Sequence, residues 1–158
     1  YLRETLGRED GAPPSVDLAA ERAAGELVQE LIAQGALSAC HDVSDGGLLV
    51  AIAEMALAAD IGADIANKAG DVPLHAWAFG EDQGRYVVAA HRANPVLEAA
   101  QKRGVPAILI GRTGGTKITL KGGRIDLDEL RAAHESWLPG YMGGVENPTQ
   151  TLAAAPNS

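Results

Sequence analysis

The chain has 158 residues, 46% of them hydrophobic and 4% aromatic, with a net charge of −8 and a single cysteine. That length suits one domain with one sizeable core, and the acidic balance argues against a nucleic-acid groove or an anionic membrane surface as partner. No uninterrupted apolar run is long enough to span a bilayer, no secretory leader pattern stands at the start, and a lone Cys40 excludes an internal disulfide, which suits a reducing cytoplasm.

Residues 1–16 read as an extended linker, because Gly7, Gly11, Pro13 and Pro14 interrupt any regular element. The chain starts at Tyr1 rather than methionine, as expected of a piece of a longer polypeptide lacking its N-terminal domain. Asp17 is placed to cap a first helix whose apolar positions Ala20, Ala23, Ala24, Leu27, Val28, Leu31 and Ile32 recur at helical spacing, with Gly35 ending it. Residues 37–40 are small and apolar enough for a short buried strand, 41–47 form a polar turn, and 48–59 are apolar at nearly every position except Glu54, which predicts a second helix. A short strand is expected at 61–65, a loop at 68–72 and a strand at 86–90. Asn94-Pro95 opens a helix with proline in its first turn, running to about residue 103. Strands at 107–111 and 117–120 flank the Gly114-Gly115 turn, and Lys121-Gly122-Gly123-Arg124 resembles a second hairpin turn. Asp126 or Asp128 caps a last helix through about residue 137, which Pro139 stops. Residues 144–158 offer little to bury and are expected to form a flexible tail, so the folded domain spans 17–143. Alternating helices and strands predict an α+β domain, one sheet covered by helices, with close packing through abundant alanine.

The turn carries the chemistry. His41-Asp42-Val43-Ser44-Asp45-Gly46-Gly47-Leu48 packs two carboxylates, a hydroxyl and an imidazole ahead of a glycine pair and a helix. A helix N-terminus offers unpaired N–H groups and partial positive charge, and glycine lets a ligand approach the backbone. Two aspartates repel a bare phosphate, whereas a magnesium ion or a sugar hydroxyl reconciles acid and phosphate in one place. On spacing alone, capping of the helix by Ser44 or Asp45 is the commoner use of such a turn. A second acidic turn, Phe79-Gly80-Glu81-Asp82-Gln83-Gly84-Arg85, leads into the strand at Tyr86-Val87-Val88. If that strand lies beside the one ending at Cys40, both turns share one sheet edge, and carboxylates from separate loops suit magnesium, which seldom takes an all-protein cage. A Glu81–Arg85 ion pair at the strand end explains the same residues without a ligand.

These two stretches, with Ile110-Gly111-Arg112-Thr113 and the closing Ile125-Asp126-Leu127-Asp128-Glu129-Leu130 through Trp137, resemble the C-terminal domain of the large subunit of phosphoribosylformylglycinamidine synthase, of the aminoimidazole ribonucleotide synthetase superfamily. The resemblance covers residues 2–143, with one departure: Asp82 stands where the family often has a small hydroxyl residue. It implies an α+β fold with a mixed sheet packed by helices and partial ferredoxin-like topology. It also implies an ATP-dependent carbon–nitrogen ligase that uses Mg2+, turning formylglycinamide ribonucleotide, ammonia and ATP into formylglycinamidine ribonucleotide, ADP and phosphate in purine biosynthesis. Carried over, Asp42 and Gly80 approach ATP, Glu81 binds magnesium, and Gln83 touches the substrate, with Ser44, Asp45, Gly46 and Gly47 completing the first turn. The catalytic histidine and the rest of the site fall to the N-terminal domain, so this fragment holds no catalytic residue and is inactive alone. A glutaminase subunit and a small bridging subunit are the implied partners.

Two other classes fit less of the chain. A sister enzyme, such as a thiamine monophosphate kinase or a hydrogenase-maturation protein, shares acidic glycine turns but not the second motif and closing segment; a non-catalytic interaction scaffold needs neither turn. His75, His91 and His134 lack metal-ligand spacing and read as surface residues, while His41 is placed to orient Asp42 or bond the backbone. Cys40 reads as a structural thiol, Trp77 and Trp137 as core or interface anchors, and Lys121 and Arg124 as solvent-facing.

Overall fold

The computed structural model describes residues 6–8, 15–66, 71–82 and 84–142. In chain order the elements are α1 (Leu18–Ala33), β1 (Ala39–Asp42), α2 (Gly47–Ala59), β2 (Ala63–Ile65), α3 (Leu74–Phe79), β3 (Tyr86–Ala89), α4 (Ala93–Lys102), β4 (Gly111–Thr113), β5 (Lys117–Leu120), β6 (Gly123–Asp126) and α5 (Leu127–Met142). Asp17 caps α1 as its position predicts, accepting from the N–H groups of Ala19 and Ala20 at 3.0 Å. Gly35 lies just past the helix at φ +65°, a left-handed stop.

The fold is mixed α+β, but its strands divide between two sheets instead of forming one. β1 and β3 make an antiparallel ribbon, while β4-β2-β5-β6 make a mixed sheet in which β2 and β5 run parallel. Helix α2 is apolar at every position but Glu54, and Gly47, Leu48, Ala51, Ile52 and Ala56 are its buried residues. Its Leu48, Ile52 and Ala56 form the main core with Val43, Ile65, Trp77, Ala78, Ile118 and Leu127. A second core, Leu27, Leu31, Val96 and Ala100, joins α1 to α4. The ribbon lies between the two: consecutive residues of a strand point to opposite faces, so Val87 packs on the main core and Val88 on the second.

Three local expectations change. Residues 105–110 are not a strand; Val105 packs on one core and Ile110 on the other, so this apolar stretch is the crossing between them, and pairing starts only at Gly111 opposite Ile65. The last helix continues through Pro139 to Met142, where Trp137 and Tyr141 stack across the proline with ring centroids 5.3 Å apart. Helix α3 is additional to the expected elements, although Leu74, Trp77 and Ala78 have the i, i+3, i+4 spacing of a single apolar face. The hairpin at Lys121-Gly122 forms as expected, with φ of +46° and +84° at its two central residues, the pattern of a type I′ turn. The linker and tail expectations fall mostly or wholly outside the described residues. Among the described residues no helix is long and apolar enough to cross a membrane.

Candidate functional site

The β1–β3 register brings the two acidic turns together. Asp42 is opposite Tyr86, and the Val43 N–H donates to the Arg85 carbonyl at 2.8 Å, so each turn leaves the ribbon from the same end. β1 is Ala39–Asp42, two residues further along than expected, which puts Asp42 on the last position of the strand rather than in the turn. The chain then folds tightly, with the Gly47 N–H donating to the Ser44 carbonyl at 3.0 Å and φ of +82° and +77° at Gly46 and Gly47.

Neither Ser44 nor Asp45 caps α2. The N-cap is Gly46, which has no side chain to offer, and the Gly46 N–H instead donates to Glu81 Oε1 at 2.9 Å. A carboxylate from the second turn thus sits on the first, 35 residues away in sequence. The competing Glu81–Arg85 pair gives way to another arrangement: Arg85 donates to the Gly80 carbonyl and lies 3.5 Å from the Asp82 carboxylate. The cation pins its own loop, and Glu81 bridges to the neighbouring one. The turns also touch through backbone, since a Cβ on Gly47 would lie 2.6 Å from the Phe79 carbonyl carbon.

A cleft of about 270 Å³ opens at this junction, lined by residues of both turns (Asp42, Ser44, Asp45, Glu81) and, from α1, by Glu21. Of the expected site residues, Asp42, Ser44, Asp45 and Glu81 line the cleft; Gly46, Gly47 and Gly80 do not, but Gly46 bonds Glu81 through its N–H and Gly80 is held through its carbonyl by Arg85. Gln83 lies outside the described residues. Glu21 is not among the expected residues; the sequence shows it only as an acid in the first turn of a helix, and nothing local links it to residues 42–45. A larger, more open groove of about 520 Å³ runs along the other sheet past Asp64, Lys117 and Thr119, away from both turns.

His41 serves the backbone as expected. Its Nδ1 donates to the Asp42 carbonyl at 2.7 Å, and Nε2 lies 3.2 Å from the Glu54 carboxylate. His75, His91 and His134 are exposed, as is the Trp137 end of α5, whereas Trp77 is buried in the main core. Next to His41, burial first and the Asp42 charge second raise the Cys40 thiol above its ordinary value. Less thiolate at neutral pH means slow alkylation. Iodoacetamide labelling of Cys40, followed by peptide mass mapping, is therefore expected to be slow and to accelerate in Asp42→Asn, which removes the second cause.

Glu21, Asp42, Asp45 and Glu81 give the cleft four carboxylates against one Arg85. Hard oxygen donors are what magnesium prefers, and one or two of them completed by phosphate and water is its usual shell. Among the described residues no three His, Cys, Asp or Glu converge as a ready ligand set.

The AIR synthase related protein, C-terminal domain, matches residues 1–123. Phosphoribosylformylglycinamidine synthase subunit PurL of Rhodopseudomonas palustris (strain TIE-1) is 54% identical over 147 residues, 91% of this chain and 20% of that protein. The chain thus spans about a fifth of the length of the curated relatives it matches. Among solved structures, Thermotoga maritima PurL complexed with FGAR superposes with a TM-score of 0.66 at 19% identity, over 80% of this chain and 24% of that one. The same protein complexed with ATP gives a TM-score of 0.65 at 21% identity, over 77% and 23% of the two chains. At those identities the likeness is one of fold. The family match runs through both acidic turns and the ribbon that joins them, and the chain belongs to the AIR synthase related protein family as its C-terminal domain.

Proposed function

We propose that this domain supplies half of the site for ATP-dependent amidation of formylglycinamide ribonucleotide to formylglycinamidine ribonucleotide, within a longer cytoplasmic polypeptide whose N-terminal domain supplies the other half. The observation that carries the proposal is the Gly46 N–H to Glu81 hydrogen bond, which joins two separately encoded turns into one acidic cleft. Its support is the identity to PurL subunits across nine-tenths of this chain.

In this proposal Asp42 and Gly80 face the nucleotide, Glu81 holds Mg2+, and Gln83, Ser44, Asp45, Gly46 and Gly47 face the ribonucleotide. Bound magnesium supplies charge neutralisation to the phosphates. The γ-phosphoryl group of ATP passes to the substrate amide oxygen, and ammonia then displaces it as phosphate, so a poor leaving group becomes a good one. Positioning and electrostatics dominate such transfers. The turn residues of this domain serve that need by fixing the two ligands against each other on a rigid ribbon. A glutaminase subunit and a small bridging subunit deliver the ammonia.

The test is ammonia-dependent ATP hydrolysis stimulated by formylglycinamide ribonucleotide in the full-length polypeptide. Asp42→Asn and Glu81→Gln are matched in shape, and the glutamine keeps an acceptor for the Gly46 N–H. Each is expected to lower turnover by about tenfold or more while folding is unchanged, because a charge facing developing charge is lost. Full activity in both folded variants leaves the domain a scaffold, and an intact protein without stimulation belongs with a sister enzyme.

A further inference from the structure

Glu54 is the only charged residue in α2. It stands seven positions after Gly47, on the helix face that carries the acidic turn, and helical side chains lean toward the N-terminus. That lean brings its carboxylate to 3.2 Å from His41 Nε2, although the two residues belong to different elements. On the other side of the ring, Nδ1 is 2.7 Å from the Asp42 carbonyl but 3.6 Å from the Asp42 carboxylate. The distances rank the two: the ring hydrogen-bonds the peptide and makes only a longer ionic contact with the carboxylate. β1 explains why, since His41 and Asp42 point to opposite faces of the strand.

We infer that His41 and Glu54 are positioning residues for the nucleotide: together they fix the peptide that follows Asp42, and with it the direction in which the Asp42 carboxylate enters the cleft. This rests on the proposed placing of Asp42 against the nucleotide. A carbonyl only accepts, so Nδ1 is the donor in that contact. Glu54 meets Nε2 and holds the ring plane. The Glu54 and Asp42 carboxylates are about half and two-thirds exposed, so ion pairing adds little, and the hydrogen bond to the carbonyl is what orients the turn.

The chemistry makes a discriminating set of variants. The amide nitrogen of asparagine occupies the place of Nδ1, whereas that of glutamine occupies the place of Nε2. At position 54, glutamine keeps an oxygen that accepts from Nε2 as the carboxylate does, while leucine offers none. In the full-length protein, with ATP as the varied ligand, His41→Ala, His41→Gln and Glu54→Leu are expected to raise KM by about five- to tenfold with kcat within about twofold, the worth of one hydrogen bond. His41→Asn and Glu54→Gln are expected to stay within about twofold of the parent KM. A merely structural role would move melting temperature and kcat with no asparagine–glutamine difference, and that result overturns the inference. If His41→Ala unfolds the protein, the asparagine and glutamine variants decide alone. Asp42→Asn is measured beside them: a raised KM there with an unchanged KM in every His41 variant sinks only the positioning role, whereas an unchanged KM in Asp42→Asn sinks the nucleotide assignment and this inference with it.

Discussion

Replacing Gly47 by alanine is expected to cost about 3 kcal/mol or more and to abolish the cleft, from two causes that can be separated. The first is conformational: at φ +77° an L-residue is strained by about 1–2 kcal/mol. The second is collision, because the new Cβ would lie 2.6 Å from the Phe79 carbonyl carbon and 2.8 Å from the Gly80 carbonyl oxygen. Both obstacles are backbone, and Gly80 is itself pinned through its carbonyl by Arg85, so no side chain can swing away. The turns must part, and Glu81 then loses the Gly46 N–H that it holds at 2.9 Å. Gly104 is the control. It has φ +68°, and a Cβ added there would meet nothing within 4 Å, so Gly104→Ala carries the conformational cost alone. Thermal melting of the full-length variants, with amide exchange over residues 44–48 and 79–82, is expected to show a small loss for Gly104→Ala and a large, site-centred one for Gly47→Ala. Equal effects in the two variants would mean that the turns do not press on each other.

That contact marks the boundary of what the sequence shows by itself. Asp17 and the Lys121-Gly122 hairpin are legible because each acts within a few residues: a carboxylate two or three positions from its donors, a pair of left-handed residues between two strands. The α2 cap is illegible by the same logic. Ser44 and Asp45 are local candidates, yet the helix starts at a glycine and is capped by Glu81, a contact that exists only once β1 and β3 have paired. Glu21 enters the cleft from α1 for a comparable reason: tertiary packing sets the loop at Gly84 against it. Periodicity also stops short at residues 105–110, where only the ends Val105 and Ile110 reach the two cores while Ile108 and Leu109 are exposed, so the apolar run keeps no single face. The acidic turns themselves are legible, and so is the condition for their meeting, namely adjacency of the two strands. What composition and spacing lack is the choice among partners, which is made by distances across the fold.

Trp77→Ala tests whether the cleft depends on the core beneath it. Trp77 is 6% exposed and packs in the main core with α2 residues, while α3, its helix, ends at Phe79 and delivers Gly80 and Glu81 to the site. A six-residue helix has too few hydrogen bonds to persist by itself, so its stability is borrowed from that one apolar face. Removing a buried tryptophan side chain costs about 3–5 kcal/mol. Because α3 is short, the loss is expected to appear first as local opening rather than as global unfolding. Amide exchange over residues 74–81 should rise by about a hundredfold or more, the rate equivalent of that cost, with α1 and α4 little affected because they bury their apolar faces in the separate second core. Turnover in the full-length protein should fall with it, since Glu81 no longer holds its place against Gly46. Trp77→Phe keeps most of the buried area and is expected to retain the larger part of both protection and activity. Uniform loss of protection across both cores would show instead that the two clusters unfold as one unit, and that the site has no local support of its own.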